Sequence, residues 1–85
     1  MPTDQDLAMA IATVIAQRIA ASGRSRREVM RSAGVSRQAL YRVGGTLREP
    51  HLPSLRLLYA VCRELGVSVP VVIEDAERLA SSGDL

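Results

Sequence analysis

The stretch that most constrains this 85-residue chain runs from Ser25 to Val43. Ser25 is followed three residues later by Glu28. That spacing lets the hydroxyl accept from the Glu28 amide while the carboxylate reaches back to the amide of Ser25, the signature of a helix start. Gly34 follows the first helical pattern, where a chain that must reverse within a few residues needs positive φ at no steric cost. Ser36 offers a second N-cap oxygen, so a new helix starts at Arg37. Val29, Met30, Ala33, Val35, Ala39, Leu40 and Val43 are placed to fill the angle between the two helices. Arg26, Arg27, Arg31, Arg37, Gln38, Tyr41 and Arg42 are left on the outer face. Two short helices at a steep angle, joined by a tight turn and polar outside, are a shape that can present its second helix to a nucleic-acid groove.

Arg26 to Val43, with Gly34-Val35-Ser36 as its turn, resembles the helix-turn-helix of the Cro and phage-repressor (Xre-type) family. A second likeness lies in Pro53 to Leu58 and Val61 to Val67, similar to the closing helix of that family, which often ends in Leu-Gly-Val. The likeness spans about residues 10 to 73. Three positions depart from the family pattern. Met30 stands where a small residue is usual, Gly44-Gly45 replaces an acidic residue and its neighbour, and Arg24 replaces an apolar residue before Ser25. The resemblance implies an all-α fold, a compact five-helix lambda-repressor-like domain with a central helix-turn-helix. It also implies that Arg37, Gln38 and Tyr41 read base edges, with Ser25, Arg26, Arg27, Ser36, Arg42 and Arg48 on the DNA backbone. Arg and Gln suit that work, since Arg bonds guanine O6 and N7 with two donors and Gln pairs with adenine N6 and N7.

The remaining elements follow from caps and spacing. Thr3 with Asp6 repeats the capping pattern, predicting a first helix over about 4–22 that stops at Gly23. Leu7, Ile11, Val14, Ile15 and Ile19 give it a core face; Ala8, Ala12, Ala16 and Ala20 form a stripe of small residues that admits another helix, from the same domain or from a partner. Residues 44–52 read as a loop. Ser54 caps a helix over 55–65, closed by Gly66, with Leu55, Leu58, Val61, Cys62 and Leu65 on its core face. Ser68 and Pro70 open a last helix over 69–80, although the β-branched run 67–73 equally suits a strand. The single domain spans 1–81, with 82–85 as a frayed tail. Leu57, Tyr59, Val69, Val71, Val72 and Ile73 exceed what one small domain needs to cover itself, and they are the candidate surface of a homodimer; the alternative is that the last helix simply closes the monomer core.

Composition narrows the function classes. Residues 24–56 carry eight arginines against Glu28 and Glu49, a net charge of +6, while the flanks are acidic. Positive charge concentrated on one motif is the footprint of a polyanion binder. One cysteine and one histidine, on different elements, give no metal-ligand set and no nucleophile–base pair, so no catalytic residue, metal or cofactor is expected. No apolar run approaches the ~20 residues of a membrane span, and the acidic N-terminus is unlike a signal peptide, so the expected compartment is the cytoplasm. The expected partner is double-stranded DNA, bound by a dimeric transcriptional regulator, with no small-molecule ligand. An alternative stays open: an antitoxin that binds its own promoter and a toxin protein.

Overall fold

The computed structural model describes residues 3–34 and 52–82, and these are all-helical. Four helices follow in order: α1, Asp4–Ser22; α2, Arg26–Ala33; α3, Leu55–Leu65; and α4, Val69–Ser82. The helix expected from Arg37 to Val43 lies outside the described residues, as do the loop that follows it and the last three residues of the tail. Among the described residues no helix is long and apolar enough to cross a membrane.

Each helix start is built by the chain's own hydroxyls. Thr3 Oγ1 accepts from the Asp6 amide at 3.1 Å, and Asp6 Oδ2 accepts from the Thr3 amide at 3.1 Å. Ser25 and Glu28 make the same reciprocal pair at 3.1 and 3.3 Å. Ser54 Oγ takes the Leu57 amide at 3.1 Å, and Ser68 Oγ takes the Val71 amide at 3.4 Å. Each of these side chains satisfies an amide that the helix itself leaves without a partner. At the other end, α3 closes in a Schellman motif. Gly66, at φ 68°, donates to the Arg63 carbonyl at 3.2 Å, and Val67 donates to the Cys62 carbonyl at 3.1 Å.

α1 is the central element and pairs most extensively with α4, while α2 lies against α3. Ile11, Val14, Ile15 and Ile19 of α1 meet Val29 of α2, Leu58, Val61 and Cys62 of α3, and Val69, Val72 and Ala76 of α4 in one core. With no Phe or Trp available, this core is filled by Ile, Leu and Val side chains together with the smaller Ala and Cys62. Ala8 and Ala12 are buried within the chain, Ala16 is half-buried and Ala20 is exposed, so the small-residue stripe serves internal packing only along its first half.

Residues 69–82 are helical, which decides between the two readings of the β-branched run. A strand with period two would put Val69 and Val71 on one face. Instead Val69, Val72 and Ala76 are buried at helical spacing, and Val71 is 40% exposed. Pro70 sits in the first turn of α4, where its missing N–H costs nothing. Val69 and Val72, two of the residues expected at a dimer surface, are thus buried within the chain itself. Both residues, with half-buried Leu57 and Ile73 beside them, pack on the core of this protomer, because α4 closes onto α1. Leu55, expected on the core face of α3, is 69% exposed instead.

Candidate nucleic-acid interface

Of the residues expected at a nucleic-acid interface, those at the N-terminal end of α2 are described. Its capping box holds Ser25 twice over, since Ser25 Oγ accepts from the Glu28 amide and also lies 3.3 Å from Glu28 Oε1. Ser25 is therefore committed to the cap. Attraction for an anion at this end falls to the positive pole of the helix dipole and to the arginines that follow. Arg27 and Arg31 are both exposed and four residues apart, hence on one face of α2; Arg26 is half-buried. Val29 is the one buried residue of this eight-residue helix. Gly34 ends it in the left-handed region at φ 68°, its N–H donating to the Arg31 carbonyl at 3.3 Å.

Arg37, Gln38 and Tyr41, expected to read bases, lie outside the described residues, as do Ser36, Arg42 and Arg48. The structure thus brings together Ser25, Arg26 and Arg27 from the expected backbone-contact set.

Arg24 behaves differently from its neighbours. It sits between the stop of α1 at Gly23 and the cap of α2 at Ser25, and its guanidinium turns inward. Nη1 donates to the Glu64 carbonyl at 2.9 Å, and Nη2 donates to Ser32 Oγ at 2.9 Å and to Glu64 Oε1 at 3.3 Å. One side chain therefore joins the α1–α2 turn, the last turn of α2 and the C-terminal end of α3. No local spacing rule could reveal it, because Arg24 and Glu64 are 40 residues apart. The only sequence signal is a charged residue wedged between the Gly23 stop and the Ser25 cap.

Charge elsewhere is arranged in the opposite sense. α4 carries Glu74, Asp75 and Glu77; Asp75 pairs with Arg18 of α1 at 3.2 Å, and Arg78 lies 3.2 Å from Glu74 and 3.6 Å from Asp75. These pairs are largely exposed, so they contribute little to stability beyond ~1 kcal/mol each. They do leave α4 without a surplus of positive charge.

Among the surface candidates for a partner, Tyr59 is 54% exposed and Val71 40%. Leu52 and Leu55 are also exposed, and Leu55 and Tyr59 fall one turn apart on α3. Among the described residues no group of three His, Cys, Asp or Glu side chains could hold a metal ion. Cys62 is a buried free thiol; burial pushes its pKa up, and the nearby charge of Arg18 works against that shift. Comparison with family models, with curated proteins and with solved structures yields no match for the chain.

Proposed function

We propose that this chain is a sequence-specific, double-stranded-DNA-binding transcriptional regulator of the Cro and phage-repressor kind. In this reading it is cytoplasmic and represses by occlusion, with two copies seated on a palindromic operator. The observation that carries the proposal is the concentration of charge. Residues 24–56 hold a net +6 in a chain whose total is +2, and the exposed Arg27 and Arg31 share a face of α2. DNA affinity rests largely on neutralising phosphates, so a positive field on one face steers a duplex there. The capped start of α2 and its left-handed stop at Gly34 are the local geometry a helix-turn-helix needs before its second helix. Arg37, Gln38 and Tyr41 are then the base readers, and Arg26, Arg27, Ser36, Arg42 and Arg48 the backbone contacts, with Ser25 at the capped helix start beside them.

Selection of bound fragments from a random duplex library at physiological salt, with the mass of each complex measured, tests this. The expected result is a palindromic consensus occupied by two copies, with half-sites about 34–36 Å apart or a multiple of that. Failure to retain any duplex overturns the proposal. The exposed Leu52, Leu55 and Tyr59 favour one further reading, an antitoxin that offers this face to a toxin protein while α2 faces DNA. A stable complex of this chain with one other small protein, formed without DNA, distinguishes it.

A further inference from the structure

We propose that Arg24 is a positioning residue: it spends its charge inside the protein, holding α2 and the turn at Gly34 against the end of α3, and takes no part in neutralising phosphate. The inference rests on the DNA-binding reading above and assigns a role within it.

Arg24 belongs to the basic segment by sequence, and by composition alone it counts as one of the eight arginines facing DNA. Its surroundings say otherwise. The Arg24 side chain is 29% exposed and the Glu64 side chain it faces is 25% exposed. Its three hydrogen bonds, at 2.9, 2.9 and 3.3 Å, engage three of the five guanidinium N–H groups and both terminal nitrogens, so the planar fork is held turned toward α2 and α3. Two of the acceptors belong to Glu64, the penultimate residue of α3. Its carbonyl is one of those a helix leaves open at its C-terminus, where a cation also meets the negative pole of the dipole. The third acceptor, Ser32, lies in the last turn of α2, two residues before Gly34. The clamp therefore acts at the point where the chain leaves α2 for the segment that carries Arg37, Gln38 and Tyr41. α2 itself buries only Val29, so its orientation has few apolar contacts to set it.

The test uses the full chain as wild type, Arg24→Ala and Glu64→Gln. Affinity for the duplex selected by the protein, and for a scrambled duplex of equal length, is measured across a salt series at a temperature where circular dichroism shows every variant folded. Amide hydrogen exchange at Gly34 is measured without DNA. Arg24→Ala is expected to lower affinity for the selected duplex about fivefold or more, with less loss on the scrambled one. The slope of log K against log salt is expected to stay at the wild-type value. Glu64→Gln is expected to weaken binding as well, although removing an acidic charge beside DNA would by itself strengthen it. A salt slope shallower by about 0.9 in Arg24→Ala makes Arg24 a phosphate contact and overturns the inference. So does tighter binding by Glu64→Gln, or equal affinity in all three proteins. A purely stabilising role would shift the melting temperature and leave the selected-to-scrambled ratio of the folded protein unchanged. Should Arg24→Ala fail to fold, Glu64→Gln carries the test, because it keeps the Glu64 carbonyl and Ser32 as partners. If the wild type binds no duplex, the DNA reading fails and exchange alone judges the clamp: faster exchange at Gly34 in the variants supports it, and unchanged exchange overturns it.

Discussion

Replacing Gly34 with Ala, and separately Gly66 with Ala, isolates what the left-handed helix stops contribute. The two glycines adopt the same conformation, φ 68° and ψ 28°, and each donates its N–H to a carbonyl three residues back. Among the described residues, a Cβ built on either meets nothing within 4 Å. No clash therefore enters the cost, which reduces to placing an L-residue in the left-handed region, roughly 1–2 kcal/mol. For a domain of this length each kcal/mol lowers the melting temperature by about 4–8 °C. Both variants should melt about 5–15 °C below wild type by circular dichroism, and within a few degrees of each other. Gly34→Val should fall further, because a β-branched residue resists positive φ. Gly34→Asn should recover part of the loss, since Asn enters this region more readily. Equal melting of Gly34→Ala and wild type would refute the reasoning, as would a large gap between the Gly34 and Gly66 variants. In the DNA-binding reading, Gly34→Ala alone of the pair also weakens duplex binding, because it redirects the segment after α2.

Three other perturbations test the core and the interface. Ile15 is fully buried at the middle of α1, so Ile15→Ala should cost about 2–5 kcal/mol, read from the urea midpoint. That is a large share of the roughly 4–13 kcal/mol available to a chain of this size. Cys62 is buried with its pKa raised, so a thiol reagent should modify the native protein slowly and the urea-unfolded protein at once; the folded state holds the thiol proton more tightly, and stability should therefore fall as the pH climbs past the ordinary thiol range toward the higher folded value. Rapid labelling of the native protein would contradict that burial. Arg27→Ala should weaken binding to all duplexes alike and flatten the salt dependence by about one ion, and a loss confined to one sequence would make Arg27 a base contact instead.

What the sequence made legible was short-range. Thr3 with Asp6, Ser25 with Glu28, Ser54, and the glycines at 23, 34 and 66 each act within four residues, so helix starts and stops could be read directly. The faces of the helices were harder. Leu55 has the right spacing to join Leu58 and Cys62, yet it is the first residue of α3 and remains exposed. Val69 and Val72 looked surplus because an apolar count cannot say how much of α1 is left uncovered; α1 is buried along most of its length and needs α4 to cover it. Arg24 stands out in the sequence as a charge before the Ser25 cap, but its partner Glu64 is 40 residues away and is set by the packing of α2 on α3.

The design of α2 explains why a polar clamp is needed there at all. A helix of eight residues is too short to hold itself together in water, and most helices of that length rely on an apolar stripe. α2 offers Val29, whose burial is worth roughly 1.5–3 kcal/mol, with Met30 partly buried beside it. Three of its eight residues are arginines, and Arg27 and Arg31 are exposed and fill no part of the core. Anchoring therefore falls to groups that need no apolar area: the capping box at Ser25, the Gly34 stop, and the guanidinium of Arg24 reaching across to Glu64 and Ser32. Caps fix where the helix begins and ends but leave its tilt open. Arg24 makes contacts at two elements other than its own turn, so it constrains that tilt. A surface rich in cations is thereby oriented by one cation withdrawn from it.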